Sequence, residues 1–224
     1  MARIARVVVP GTPHHVTQRG NRRQRVFFGD EDYKAYLGFL SEGCSEAGTE
    51  IWAYCLMPNH VHLLLVPFHG DGLRRALSEA HRRYTRMVNF REGWRGHLWQ
   101  ERFASFPASG QYLLNVARYI ELNPVRAKMV FKPEDWPWSS AMSRVTGCPN
   151  SLLSSAGNAA FGGITDWSAF LGEGLDDPFQ ELVRKHESTG RPLGPEDFIK
   201  GIEAVLGRIF SPQKRGPKPK EKHI

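Results

Sequence analysis

Two histidines separated by one residue are the first candidates for chemistry in this chain. His60 and His62 follow a Met-Pro-Asn turn signal and open the apolar run at 63–66. Because alternate side chains of a strand share one face, both imidazoles would point the same way, close enough to bind one metal ion. Such histidines also occur as plain hydrogen-bonding groups at strand ends. The pair therefore predicts a metal site only if other residues support it.

A tyrosine on a predicted helix is the second candidate. Residues 111–122 have helical spacing, and an apolar stripe runs along one side of this segment. Tyr119 falls off the stripe, on a flank that it shares with Tyr112. Because a tyrosine that serves only packing would sit on the stripe, Tyr119 is a candidate for chemistry. The stripe consists of Leu113, Val116, Ala117 and Ile120.

The end of this helix leaves two roles open for Asn123. The residue before a proline avoids the helical region, so Pro124 predicts that the helix ends or kinks near Leu122. Asn123 could cap a short second helix that has Pro124 at its first position. Asn123 could equally turn its side chain toward a metal. If the helix continued past Leu122, Asn123 and Arg126 would lie on the same flank as Tyr119. The two roles are compatible.

A histidine, a hydrophobic residue and a histidine on a strand, followed by a tyrosine on a helix, resemble the single-tyrosine HUH endonuclease superfamily. More narrowly, Pro-Asn-His-Val-His at 58–62 and Tyr-Ile-Glu-Leu-Asn-Pro-Val-Arg-Ala at 119–127 resemble the REP-associated tyrosine transposases, which are IS200-like. Several motifs in the right order are more specific than any one of them. Further agreeing blocks lie at 15–24, 99–103 and 136–140, so that the resemblance spans about 14–140.

This resemblance implies a reaction and a substrate. Tyr119 would attack a phosphate of single-stranded DNA, leaving a 5′-phosphotyrosine and a free 3′-OH, at repetitive extragenic palindromes bound as hairpins. A phenol with an ordinary pKa near 10 is a poor nucleophile at neutral pH, so a metal should activate the phosphate. The resemblance adds Asn123 as the third ligand beside His60 and His62, and it favours Mg²⁺ or Mn²⁺. Judged only by the softness of imidazole as a ligand, the pair could bind Zn²⁺ or Mn²⁺ as readily as Mg²⁺.

Two other classes of function compete with this one. A non-catalytic, sequence-specific DNA-binding protein on the same fold, such as a domesticated repressor, has no need of His60, His62, Tyr119 and Asn123 together. An unrelated zinc-binding protein would need a better third ligand. No phosphate-binding glycine motif is present, so we expect no nucleotide cofactor.

The charge of the chain favours a nucleic-acid partner. The formal net charge is +7, and six arginines precede the first carboxylate, Asp30. A basic loop at 20–25 could reach bases and phosphates, an arginine stripe on a helix could follow phosphates or simply be solvated, and a basic tail could bind a minor groove or only aid solubility. The predicted DNA contacts are Arg19, Asn21, Arg22, Arg23, Arg25, Arg75, Arg82, Arg86, Arg102, Arg126, Lys214, Arg215 and Lys218.

The elements that must position these residues predict an α+β fold. We expect an antiparallel sheet with helices packed on it, the ferredoxin-like palm of the HUH proteins, followed by a mainly helical C-terminal extension. The predicted domains are 1–135, the helical extension 136–210 and a disordered basic tail at 211–224. The predicted elements are strands at 16–19 and 103–106, a hairpin at 51–66 and helices at 30–47, 73–90, 111–122, 178–187 and 195–206, with Asp30 as the first N-cap and Gly48 after that helix.

The remaining residues set limits on the chain. Three cysteines without a Cys-x-x-Cys spacing indicate no disulfide framework, and Cys55 should be a packing residue. No apolar run is long enough to span a membrane, so we expect a cytoplasmic protein, either monomer or homodimer. His14 and His15 lie in the first strand. One of them could reach the sheet face near the metal, but ordinary structural roles are expected for both.

Overall fold

The computed structural model describes residues 4–210 of the chain. The first part of the chain forms the sheet and its main helices. These elements are β1 (His14–Arg19), α1 (Asp30–Glu46), β2 (Thr49–Met57), β3 (His60–Pro67), α2 (Gly72–Glu92), β4 (Ala104–Pro107), α3 (Gln111–Glu121) and α4 (Asn123–Arg126). The extension adds α5 (Ala141–Thr146), α6 (Ser155–Ala160), α7 (Trp167–Gly172), α8 (Asp177–Thr189) and α9 (Glu196–Leu206).

The four strands form one antiparallel sheet in the order β2-β3-β1-β4. β2 and β3 form the predicted hairpin, and β1 lies between β3 and β4. The register of β1 against β3 pairs Thr17 with His62 and Arg19 with His60. The predicted fold class, an antiparallel sheet with helices and a helical C-terminal region, is confirmed.

The two faces of the sheet carry different layers. Val61, Leu63 and Leu65 pack with α1 and α2 in one buried cluster. Leu64 instead packs with α3 and the extension in a second cluster. Since side chains alternate along a strand, the even-numbered His62 shares the face of Leu64. The two histidines of the sequence motif therefore lie under α3 and the extension, not under α1 and α2.

The extension is built onto the sheet by backbone and side-chain bonds. Ser140 N donates to Tyr54 O at 2.9 Å beside β2, and Leu193 N donates to Pro107 O at 2.8 Å beside β4. The buried carboxylate of Glu121 accepts from Trp167 Nε1 at 2.6 Å and from Ser140 Oγ at 2.5 Å. The extension thus shares a hydrophobic core with α3, and the division at 135/136 stays a prediction.

Two predicted helix caps are wrong. The N-cap of α1 is Gly29, and Asp30 is the first helical residue. Asp32 completes this end by reaching back, since its Oδ2 accepts from Phe28 N at 2.8 Å. Leu122, not Asn123, is the N-cap of α4. Gly48 does follow α1 as predicted, with a left-handed φ of 58° that glycine adopts without strain.

Some predictions concern residues outside the described range. The predicted contacts Lys214, Arg215 and Lys218, and the predicted tail at 211–224, lie beyond it.

Cys55 is fully buried, as expected of a packing residue. Among the helices of residues 4–210, none is long and apolar enough to cross a bilayer.

Candidate active site on the sheet

His60 and His62 lie together at the start of β3, as predicted. Their ring centroids are 4.9 Å apart, and His62 is only 4% exposed. His60 Nδ1 donates to Asn59 Oδ1 at 2.6 Å, which leaves Nε2 of His60 as a lone-pair donor to a metal. Asn59 in turn donates to Arg23 O at 3.1 Å. The turn before β3 therefore orients the first histidine.

His15 lies on the same face of the sheet as His62, which is the alternative that the sequence left open for one of the two first-strand histidines. His15 Nε2 lies 3.0 Å from His62 Nδ1, and the two rings stack with centroids 5.2 Å apart. His15 is opposite Leu64 in the register, so it is the diagonal neighbour of His62 on the same face. The alternation of β1 could have indicated this, but only once the register with β3 was known.

Glu187 is a residue of the site that sequence reasoning missed. It comes from α8, and its Oε1 lies 3.7 Å from both His15 Nδ1 and His62 Nδ1. The three side chains form a group whose ligand atoms all lie within 4.8 Å of one another. Sequence offered no signal for it, because the docking of α8 onto β1 and β4 is a tertiary feature.

Tyr119 faces these histidines from α3. Its ring centroid lies 5.9 Å from the centroids of both His15 and His62. Arg126 stacks over the tyrosine ring at 3.9 Å, and Arg184 of α8 hydrogen-bonds its hydroxyl. Tyr119 is only 5% exposed, so the predicted flank of α3 is covered by the extension rather than open to solvent.

Burial and neighbouring charges set the protonation states of the site. Burial raises the pKa of Tyr119 above its ordinary value, and Glu187 adds to this, whereas Arg126 and Arg184 oppose it. Burial, helped by Arg126, lowers the pKa of His15 to about 3. The pKa of His62 is also lowered well below its ordinary value, mainly by burial. Both imidazoles are therefore neutral near pH 7, as metal ligands must be.

Burial and neighbouring arginines also shift the pKa values of His60 and Glu187. Burial lowers the pKa of His60 to about 4, with Arg19 and Arg126 adding to the effect. Burial raises the pKa of Glu187 to about 7, and the surrounding arginines oppose this rise. The carboxyl group of Glu187 thus lacks a neighbour that fully stabilises its charged form.

Asn123 uses its side chain at the end of α3. Its Nδ2 donates to Tyr119 O at 3.0 Å and to Ile120 O at 3.2 Å, and its Oδ1 accepts from Arg126 Nη2 at 2.8 Å. These bonds satisfy carbonyls that the helix leaves free at its C-terminus. The ligand role of Asn123 stays a prediction, and it would require Oδ1 to turn away from Arg126.

The donor set fits a divalent cation. Ligands in adjacent positions around an octahedral ion with bonds of about 2.1 Å lie about 3.0 Å apart, and about 3.4 Å apart in a tetrahedron. Glu187 Oε1 lies 3.7 Å from Nδ1 of His15 and of His62, slightly beyond these values, whereas the 3.0 Å contact between His15 Nε2 and His62 Nδ1 is a hydrogen bond between the two rings. Moreover, His15 Nδ1 and Glu187 Oε1 are buried without a hydrogen-bond partner. A cation would satisfy polar atoms that are otherwise costly to bury.

The predicted DNA contacts near β1 lie at one end of the sheet. Arg19 is opposite His60, and the 3₁₀ turn Asn21–Arg23 follows directly. Gly20 fixes this turn, because its N–H donates to Asn59 O at 2.8 Å and a Cβ there would lie 2.3 Å from Gln24 O. The structure thus brings the basic loop, which includes Arg22, Arg23 and Arg25, beside the histidine motif.

The arginines of α2 lie on the other side of the sheet. Arg75 donates to Glu46 O, and Arg82 pairs with Glu79 in an exposed contact. Arg82, Arg86 and Arg102 line a cavity of about 580 Å³ that also includes Trp99. The predicted contacts therefore divide between the two layers, with Arg126 over Tyr119, Arg19 beside His60 and these arginines behind the sheet.

The fold and the site together define a class of protein. An antiparallel sheet carries paired histidines on a central strand, and a helix over the same face supplies a single tyrosine, as in the HUH proteins with one tyrosine. Residues 9–123, just over half of the chain, match the family model described as "Transposase IS200 like". The chain belongs to the IS200-like transposase family.

Two individual proteins illustrate this relationship. A protein of Haemophilus influenzae described as "Putative REP-associated tyrosine transposase" is 29% identical over 108 residues, which are 43% of this chain and 61% of that protein. This chain thus spans about three fifths of the relative's length. A solved structure of a REP-associated tyrosine transposase bound to a REP hairpin matches 69% of this chain and 98% of its own, with a TM-score of 0.56 and 20% identity. At that identity the match shows the fold.

Proposed function

We propose that this protein is a metal-dependent endonuclease and strand transferase that cuts and rejoins single-stranded DNA through Tyr119. The observation that carries the proposal is the position of the tyrosine ring, 5.9 Å from two stacked histidines on the same sheet face. A nucleophile beside neutral metal-binding imidazoles is the arrangement that this reaction needs. Membership of the transposase family supports the same chemistry.

The proposed reaction exchanges one phosphate ester for another. The Tyr119 oxygen attacks the phosphorus, the bond to the 3′ oxygen breaks, and that oxygen takes up a proton as a 3′-OH. The proton of the tyrosine hydroxyl is lost as attack proceeds, and Arg126 and Arg184 stabilise the negative charge that develops there. Because the 5′-phosphotyrosine stores the bond energy, a 3′-OH can reverse the step and rejoin DNA without a nucleotide cofactor.

The proposed cofactor is Mg²⁺ or Mn²⁺. His60 and His62 would hold it, and the third ligand is either Asn123, as the resemblance implies, or Glu187, which lies beside His62. When bound, such an ion supplies Lewis-acid polarisation of the phosphate and neutralises charge on the departing oxygen. His15 and Tyr119 are both buried beside His62, and their side chains would limit the access of water to an ion held there.

The proposed substrate is a hairpin of a repetitive extragenic palindrome. The structural relative was solved with a REP hairpin, and the net charge of +7 suits a nucleic-acid partner. The basic loop beside His60 is positioned to contact DNA that enters the site. Contacts to the backbone there would fix the position of the scissile phosphate.

A second candidate function is sequence-specific DNA binding without catalysis, as in a domesticated repressor. The burial of Tyr119, which is 5% exposed, favours it, since DNA would have to displace the side chains that cover this hydroxyl before a phosphate could reach it. The two functions differ in one product, the covalent adduct.

An adduct assay tests the proposal. Purified protein is mixed with single-stranded palindrome oligonucleotides and Mg²⁺ or Mn²⁺, and covalent adducts are resolved on a denaturing gel and located by mass spectrometry. We expect an adduct on Tyr119 that EDTA prevents and that Tyr119→Phe lowers by at least about 10³-fold. Tyr112→Phe, which removes a hydroxyl from the same helix, is the matched control and should keep full adduct formation. Tight hairpin binding without any adduct would favour the DNA-binding alternative.

A further inference from the structure

His15 is buried against one of the proposed metal ligands, His62, and is bonded to it. We infer that His15 is a positioning residue of the metal site: its Nε2 accepts the Nδ1 hydrogen of His62 and thereby keeps Nε2 of His62 free to bind the ion. The inference deepens the proposed function, because it rests on a metal held by His60 and His62. It gives His15 a role in the site without making it a ligand.

The geometry of the two rings is the first argument. His15 Nε2 lies 3.0 Å from His62 Nδ1, and the ring planes are only 13° apart. The centroids are 5.2 Å apart, so the rings are offset and meet at these two nitrogens. In a hydrogen bond between two neutral imidazoles, one nitrogen carries the hydrogen and the other supplies the lone pair. The bond therefore has one of two directions.

Metal binding decides between the two directions. If His15 Nε2 donated, the neutral ring of His62 would carry its own hydrogen on Nε2 and could not offer that atom to an ion. If His62 Nδ1 donates instead, Nε2 of His62 keeps its lone pair. Only the second direction leaves His62 able to act as a ligand.

Glu187 of α8 favours the same direction. Its Oε1 lies 3.7 Å from Nδ1 of both His15 and His62. A carboxylate oxygen attracts an N–H group and repels the lone pair of a ring nitrogen, so it favours a hydrogen on both Nδ1 atoms. His15 Nδ1 and Glu187 Oε1 are buried and have no hydrogen-bond partner within residues 4–210, so these two atoms complement each other.

His60 shows the same arrangement with a different partner. Its Nδ1 donates to Asn59 Oδ1 at 2.6 Å, which leaves Nε2 as its lone-pair donor. Each proposed histidine ligand would thus direct a hydrogen on Nδ1 toward a protein acceptor, Asn59 for His60 and His15 for His62. Bonds of this kind fix the tautomer and the orientation of a metal-binding histidine, and their loss typically weakens metal binding by about 10- to 100-fold.

The tautomers of the metal-free protein test the inference directly. Long-range ¹H–¹⁵N NMR spectra of the full chain with ¹⁵N-labelled histidine show which nitrogen of each neutral ring carries the hydrogen. Variants that lack single histidines assign the signals. We expect the hydrogen on Nδ1 of both His15 and His62. A hydrogen on Nε2 of His62 in the parent would overturn the inference, because His15 would then be the donor.

Mn²⁺ titrations without DNA test the consequence for metal binding, with the free ion measured by electron paramagnetic resonance. We expect His15→Leu, which removes the acceptor, to weaken Mn²⁺ binding by about 10- to 100-fold. His15→Gln, whose amide oxygen can accept the same hydrogen, should recover most of this loss. Phe106→Leu is the matched control and should bind Mn²⁺ as the parent does. The Phe106 ring packs against His15 with centroids 5.2 Å apart, so this change disturbs the packing of His15 but keeps the acceptor.

Thermal melting without metal shows whether each variant folds as the parent does. Equal Mn²⁺ affinity of the parent and a folded His15→Leu overturns the inference, as does an equal loss in Phe106→Leu, which would assign the effect to packing. If His15→Leu does not fold, the tautomers decide, because they are observed in the parent itself. Since neither experiment contains DNA, failure of the parent to form an adduct would count against the proposed function and not against the role of His15.

Discussion

Arg126 connects Tyr119 with the end of its helix. Its guanidinium lies 3.9 Å over the Tyr119 ring, donates to Tyr119 O at 3.0 Å and donates to Asn123 Oδ1 at 2.8 Å. A planar guanidinium can make these contacts at once, since its donors point in fixed directions while its face stacks. One side chain therefore holds the tyrosine ring in place and supplies positive charge beside it.

Replacing Arg126 by lysine should separate these two roles. Arg126→Lys keeps the charge but cannot stack and donate twice, so we expect the rate of adduct formation to fall by about 10- to 100-fold. Hairpin affinity should change little, because the positive charge remains. Single-turnover kinetics at saturating protein measures the rate, and Lys128→Arg serves as a nearby control. A rate equal to that of the parent would contradict the role given to the guanidinium.

At the scale of elements, β1 carries two histidines with different tasks. His15 faces the site, whereas His14 points to the other face and is fully buried. His14 Nδ1 donates to Thr12 O at 2.7 Å, and its Nε2 accepts from Val9 N at 3.2 Å. These bonds require the neutral ring. Burial lowers the pKa of His14 to about 4, although the bond to Thr12 opposes this.

This depressed pKa makes stability depend on pH. The unfolded chain takes up a proton at His14 near pH 6.5, whereas the folded chain does so only near pH 4. The contribution of His14 to the free energy of unfolding is therefore fully present above pH 6.5 and is lost as the pH falls toward 4. The contribution of His14 is a slope of up to about 1.4 kcal/mol per pH unit in this window. Urea unfolding from pH 7 to 4 should show a smaller slope for His14→Gln than for the parent. The exposed His69→Gln should keep the parent's slope, and identical slopes in all three proteins would refute this role.

At the scale of the whole molecule, positive charge lies on both sides of the sheet. The loop at 20–25 is fixed beside His60 through Gly20 and Asn59, while the arginines of α2 line a cavity on the opposite side. In the proposed reaction, a hairpin that delivers a phosphate to Tyr119 would contact the loop beside His60. Arg22, Arg23 and Arg25 are exposed cations of that loop, and Arg25 Nε donates to Phe27 O at 2.8 Å.

Salt dependence of binding measures this contact. The affinity falls as salt rises, and each lost phosphate contact reduces the magnitude of this negative slope of log affinity against log salt by about 0.7 to 0.9. We therefore expect Arg22→Gln with Arg23→Gln to weaken hairpin binding and to lower the slope by about 1.4 to 1.8. Lys200→Gln, which removes an exposed cation of α9, should leave both quantities unchanged. Fluorescence anisotropy over a range of salt concentrations provides the measurement, and an unaltered slope would argue against the loop.

The sequence predicted what depends on local periodicity. Alternation placed His60 and His62 on one face, and helical spacing placed α2, observed at Gly72–Glu92, within two residues of the prediction at 73–90. His15 required the register of two strands that are distant in sequence. Glu187 required the docking of α8 across the sheet, which no periodic pattern encodes. Features set by local periodicity could therefore be predicted from the sequence, whereas the positions of His15 and Glu187, which depend on long-range packing, could not.

Both outer strands of the sheet are occupied by segments of the extension. Residues 138–140 bond to β2 through Leu56 N to Trp138 O and Ser140 N to Tyr54 O, and Leu193 pairs with Ala108 just beyond β4. Outer strands with open backbone groups recruit further strands and promote aggregation. Here the chain shields these groups with its own later residues. At these positions a second copy of the protein could not add a strand to the sheet without displacing residues 138–140 or Leu193.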